Sequence, residues 1–266
     1  MLECRTLTFD DVLAVHNVLV ADFASSPDPI EPSGVRDDGS LLHSAITRQS
    51  IGLGSQLKYP DALGNAATLC YGICCNHAFH NGNKRTALVS MLCHLDRNGL
   101  VLQAEVDQDE LYSFMLKIAS HKFAPKKRTT DSTDIEVGEI RRWLHRHTRQ
   151  MSKGERVVTF RQLRQILHQY HVELENPKGN YIDVIRYQQK RKHLFAKKEW
   201  IGTRVAHIPY PREGQVVGKK VLKAIRQQCG LTDADGVDSE MFYSAETAID
   251  SFVLRYRGTL RRLAKV

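Results

Sequence analysis

No stretch of the 266 residues is apolar for long enough to cross a bilayer, so no transmembrane helix is expected. The opening Met1-Leu2-Glu3-Cys4-Arg5 lacks the basic-then-apolar form of an export leader, which makes a cytoplasmic location the expectation and gives membranes no part. Six cysteines are present, but not as the separated pairs of zinc modules. Cys70, Cys74 and Cys75 lie in one apolar segment, and with Cys93 they read as small reduced packing residues rather than as zinc ligands beside His77. Basic charge is scarce in one half only. Residues 1–123 hold 9 Lys and Arg against 14 Asp and Glu, whereas residues 124–266 hold the other 29 against 16. That excess in the second half suits a polyanion, RNA before membrane; the competing reading is a solvated basic surface.

The length suits two domains. Residues 1–150 read as helical: Asp10–Ala24 with Thr8 as N-cap, then segments near 41–50, 63–76, 84–98 (stopped by Gly99), 107–120 and 135–147. Residues 151–266 change period. A helix over Thr159–Tyr170 precedes short alternating runs at 172–174, 182–185 and 205–209, then a helix at 218–228 that stops at Gly230. The expected architecture is an all-α domain followed by a smaller α+β unit of order α-β-β-β-α. A terminal helix over 244–264 would pack through Ala248, Phe252, Leu254 and Leu263.

The run His77-Ala78-Phe79-His80-Asn81-Gly82-Asn83-Lys84-Arg85-Thr86-Ala87 carries the chemistry. A Gly-containing turn that opens into an apolar helix aims unpaired backbone N–H groups, with the positive end of the helix dipole, at one point. Lys84 and Arg85 add side-chain cations there, and His77 is placed to act as a base beside a bound phosphate. Phe79 reads as the loop's anchor in the core.

His77-x-Phe79-x-x-Gly82-Asn83-Lys84-Arg85 resembles the motif of the Fic/Doc family, whose members transfer parts of ATP onto protein hydroxyls. AMP-transferring members usually carry Gly at the place of Lys84 and Arg at that of Leu88; the pair found here is how the Doc toxin branch reads. Val35-Arg36-Asp37-Asp38-Gly39-Ser40-Leu41-Leu42-His43-Ser44-Ala45-Ile46-Thr47-Arg48 is similar to the Doc segment that leads to the target-binding flap. With Leu7–Leu13, the resemblance covers roughly residues 5–150. It implies an ATP-dependent protein kinase with His77 as base, Lys84 and Arg85 as further catalytic residues, and Gly82, Asn83, Lys84, Arg85 and Asn81 around the nucleotide. Arg48 would help position the target. The implied partners are a protein of the translation machinery, elongation factor Tu first, and an antitoxin. Family members usually carry Asp or Glu at the place of Asn81, where it helps hold Mg²⁺; Asn offers oxygen without charge.

The second half is similar, more loosely, to the double-stranded-RNA-binding-like fold of HicA toxins, through Ile208-Pro209-Tyr210 and Gly218–Leu231. Their Gly-Ser-His turn is replaced by Gly179-Asn180-Tyr181, so RNA or protein binding is expected rather than cleavage. Lys190, Arg191, Lys192, Lys197 and Lys198, among Tyr187, Phe195 and Trp200, are the nucleic-acid candidates. Two other functions stay open: a Fic-type AMP transferase, and a pseudoenzyme serving as an RNA- or protein-binding module.

Overall fold

The computed structural model describes residues 4–54, 56–123, 132–151, 158–190, 199–237, 242 and 249–265. They sort into two units, residues 1–152 with 252–266, and residues 153–251.

Thr8 starts the first unit as expected. Its hydroxyl accepts the Asp11 N–H (3.2 Å) while the Asp11 carboxylate accepts the Thr8 N–H (2.8 Å), a reciprocal cap on α1 (Phe9–Phe23). Val12, Val15, Leu19 and Phe23 recur at helical spacing and are buried. Next come α2 (Ser40–Thr47), a short 3-10 turn (Arg48–Ser50) and a small hairpin of β1 (Gly52–Leu53) and β2 (Gln56–Leu57). α3 (Ala62–Cys75) is capped by Asp61, which accepts the Gly64 N–H at 3.0 Å. α4 (Asn83–Arg97) follows, and Gly99 closes it at φ 68°. Every residue of Gly64–Cys74 and of Arg85–Asp96 is buried, so these two helices form the centre of the unit. α5 (Gln108–Ala119) and α6 (Ser132–His147) pack around them, and β3 (Leu100–Leu102) pairs antiparallel with β4 (Thr148–Gln150). Gly72 lets α2 close on α3, because a Cβ there would lie 3.1 Å from Ala45 Cα and from Arg48 Cδ.

The second unit runs α7 (Phe160–His168), β5 (Val172–Lys178), β6 (Tyr181–Lys190), β7 (Glu199–Pro209) and α8 (Lys219–Gln228), with one antiparallel sheet in the order β5-β6-β7. Thr159 and Gln162 cap α7 reciprocally, and Gly230 follows α8 at φ 61°. Leu163, Leu167, Val172, Ile182, Val184 and Ile225 build its core. β6 is longer than the four-residue run expected. The polar residues beyond Ile185 still pair with β7 as far as Lys190↔Glu199, so backbone pairing outruns the apolar alternation.

The chain end departs from expectation in two ways. The helix expected over 244–264 is, among the described residues, α9 (Ile249–Arg255) and α10 (Arg257–Arg262), separated by a non-helical Tyr256 at φ −108°, ψ 22°. The buried face is Val253, Tyr256, Leu260 and Leu263; Phe252 and Leu254 are half-buried, and Ala248 lies outside the described residues. Residues 252–266 also sort with the first unit rather than with 151–251. There Gln108 accepts the Thr259 N–H on its side-chain oxygen (2.8 Å) and the Thr259 hydroxyl on its backbone carbonyl (2.9 Å).

Two glycines give opposite tests. Gly138 sits inside α6, and a Cβ added there would have no neighbouring atom within 4 Å, so Gly138→Ala should raise unfolding stability by about 0.5–1 kcal/mol. Gly72→Val should lower it by about 1–3 kcal/mol through overpacking against Ala45. Urea denaturation of each variant measures both.

Candidate phosphate-binding loop

The loop between α3 and α4 is held on both sides. Val35 bridges Phe79, the Arg36 N–H donates to the Ala78 carbonyl (2.9 Å), and the His80 N–H donates to the Gly34 carbonyl (3.1 Å). From within, Asn83 Oδ1 accepts the Phe79 N–H and Asn83 Nδ2 donates to the Phe79 carbonyl, both at 2.8 Å. Phe79 is fully buried, as its anchoring role required. Gly82 turns the chain into α4 at φ 78°, where a Cβ would meet Ile30 at 3.1 Å, so glycine answers both the dihedral and the space.

His77 follows α3 at φ 52°, a left-handed conformation that costs a non-glycine residue on the order of 1 kcal/mol. His121 and His171 adopt the same conformation after α5 and α7, so the dihedral alone does not single His77 out. The His77 side chain is exposed, and no hydrogen bond holds its ring among the described residues. It is accessible to an incoming hydroxyl.

The expected phosphate ligands divide by atom. The Asn83 side chain is consumed by Phe79, so only its backbone can serve an anion. The Asn83 and Arg85 amides, in the first turn of α4, find no acceptor among the described residues, whereas the Gly82 N–H donates to Asn81 Oδ1 (2.6 Å). Lys84 is half-buried at the same turn. Arg85 is 2% exposed. One Nη1–H donates to the Asp28 carbonyl (3.0 Å), the guanidinium lies over the Phe23 ring (5.3 Å), and its Nε–H has no acceptor among the described residues. Burial pushes the Arg85 pKa down, with Asp28 opposing. A buried cation with an unanswered N–H is a costly feature that an anionic oxygen would relieve.

The same loop does not fit a protein-held magnesium ion. Asn81 spends Oδ1 on the Gly82 N–H and Nδ2 on the Glu31 carbonyl (3.0 Å), and no cluster of three or more His, Cys, Asp or Glu side chains is placed to hold a metal among the described residues. This holds equally for Cys74, Cys75 and His77. Arg48, expected to help position a target, is half-buried and braced by α3: its Nε–H donates to Thr68 (3.1 Å) and its guanidinium lies over Tyr71 (5.6 Å). Beside it, the β1–β2 hairpin leaves Leu53 89% exposed, with Ile51 and Leu57 also exposed.

Sequence reasoning passed over Asp28 and the buried His16 of α1. The apolar stripe of α1 could have flagged His16, since a histidine on a core face must find partners for its ring. In the second unit, Arg191, Lys192, Lys197 and Lys198, with Phe195, lie outside the described residues, as does the side chain of Lys190. Trp200 is 51% exposed and packs near His171, at 4.7 Å between centroids. The surrounding cleft of about 520 Å³ is lined by Glu173, Glu175, His168 and Tyr187, and no Lys or Arg among the described residues lines it. The Tyr187 hydroxyl donates to Glu175 (2.6 Å), so this aromatic group meets carboxylates rather than cations.

Asn83→Ala should lower stability by about 1–3 kcal/mol, because it strands the Phe79 amide and carbonyl in a part-buried loop. Thermal denaturation of the variant against the wild-type chain measures the loss.

A Fic/DOC family model matches residues 6–95. Toxin Doc of Mycolicibacterium smegmatis is 36% identical over 86 residues, which cover 32% of this chain and 65% of that relative. The chain thus spans just under two thirds of the length of the curated relative it matches. No helix among the described residues is long and apolar enough to cross a membrane. The segment matched by the family model runs through the loop and most of α4, so the chain's likeness to the Fic/DOC family takes in the whole of the loop described above.

Proposed function

We propose that this chain is a toxin-like phosphotransferase that moves the γ-phosphate of ATP to a Ser or Thr hydroxyl of a protein in the translation machinery, with elongation factor Tu as the first substrate to test and an antitoxin as its regulating partner. The observation that carries this reading is Arg85, a buried guanidinium with an unanswered Nε–H on the first turn of a helix whose Asn83 and Arg85 amides also lack acceptors among the described residues. Together they supply donors for phosphate oxygens. Phosphoryl transfer depends mainly on positioning and charge stabilisation, which such a fixed donor set provides.

In this mechanism the His77 imidazole accepts the hydroxyl proton as the target oxygen attacks the γ-phosphorus. The bond to the bridging oxygen breaks, ADP leaves with that electron pair, and His77 later returns its proton to solvent. Lys84 fixes which phosphate faces the target. The exposed apolar hairpin around Leu53 supports a protein substrate, since its open strand edges and side chains can take an extended segment. Asn81 favours a second reading, a pseudoenzyme that binds protein or RNA, because its amide is spent on the loop and brings no charge.

Incubation with labelled ATP decides among these. The γ-label should transfer to the target and the α-label should not; transfer from the α position would instead identify an AMP transferase. His77→Ala should reduce the rate by about 10²-fold or more. Asn81→Asp should increase turnover measured in magnesium buffer. No transfer from the chain or from Asn81→Asp, with partner binding intact, would establish the pseudoenzyme.

A further inference from the structure

His16 has no exposed surface, and both nitrogens of its ring are engaged. Nε2 accepts the Gly34 N–H at 3.2 Å. A neutral imidazole carries one N–H, so Nδ1 holds the proton and donates to the Thr86 hydroxyl at 3.0 Å. Burial, and then the positive charge of Arg85, push its pKa down to about 4, consistent with a neutral ring. The ring lies parallel to Phe79, with centroids 3.9 Å apart and planes 12° apart.

These three contacts reach three separate pieces of the candidate site. Gly34 begins the segment that pairs with the loop, where its carbonyl accepts the His80 N–H. Phe79 is the loop's buried anchor. Thr86 is the residue whose N–H makes the first α4 ladder bond, to the Gly82 carbonyl at 2.8 Å. An ordinary core histidine would satisfy its nitrogens on whatever carbonyls lay nearest. This one joins α1 to partners 18 and 70 positions away, one in the segment that pairs with the loop and one in the loop's helix.

We propose that His16 is a positioning residue: as the Nδ1-protonated tautomer it locks segment 34–36, the Phe79 loop and the first turn of α4 into one register, and thereby sets where His77 stands. It touches neither nucleotide nor target. Its catalytic consequence rests on the phosphotransferase reading above; its structural part does not.

The test has two arms. His16→Phe keeps the stacking on Phe79 and removes both hydrogen bonds, and Thr86→Val removes one of them from the other end. In the kinetic arm, both variants should lose kcat, by about 10-fold or more for His16→Phe, while KM for ATP stays within about 3-fold; Thr86→Ser, which keeps the hydroxyl, should restore the rate. In the structural arm, ring ¹⁵N spectra of the wild-type chain should show His16 protonated at Nδ1. Amide exchange at His80 and Arg36 should speed up in His16→Phe, while melting still shows a folded protein. An Nε2-protonated ring, or His16→Phe with unchanged His80 exchange and unchanged kcat, would overturn the proposal. If the wild-type chain transfers no phosphate, the phosphotransferase reading fails and the ring spectra with amide exchange decide the role of His16 alone.

Discussion

The double attachment of one short loop governs the rest of the first unit. Residues 78–80 are pinned by backbone hydrogen bonds to 34–36 on one side and by the reciprocal Asn83–Phe79 pair on the other. Gly82 can then turn at positive φ against Ile30, and α4 starts in a fixed direction. Without this attachment the donors of the first turn would point nowhere in particular, and His77 would ride on a free segment. The two central helices make the attachment rigid, because both are buried along nearly all of their length.

The electrostatics of the loop follow from that rigidity. Arg85 is carried into the interior by a helix whose course is already set, and there it meets a carbonyl and an aromatic face, with the Asp28 charge acting on it but no direct ion pair among the described residues. A buried ion pair would have neutralised it and removed its use to an anion. Asn81, at the opposite end of the turn, contributes hydrogen bonds that shape the loop but no charge. The site is therefore rich in positive donors, while the described residues provide no acidic cluster to hold a balancing metal.

Much of this was legible in the sequence where the signal is local. Thr8 and Thr159 stand immediately before their helices and announce them, Gly99 and Gly230 end theirs, and the motif run marks the loop and the start of α4. Other features depend on contacts that no local pattern encodes. The end of the chain joins the first unit through Gln108, 151 positions before Thr259, so a boundary drawn from composition could not anticipate it. Asn83 is expected at the nucleotide because the motif resemblance puts it there; only the fold reveals that Phe79 takes both ends of its amide. Nor does any local pattern tell that α3 braces Arg48, which it can do because Gly72 allows the approach. His16 lay in plain view within an apolar stripe, but its partners belong to other elements.

The central claim, that the first turn of α4 and Arg85 together grip the phosphate tail of a nucleotide, is tested most directly by titrating the labelled protein with ATP and following the Asn83 and Arg85 backbone amides with the Arg85 Nε–H by NMR. The account predicts that all three signals shift together, along one binding curve, and that the Nε–H becomes protected from solvent exchange. Nucleotide binding that leaves the Nε–H and the first-turn amides where they were would contradict it.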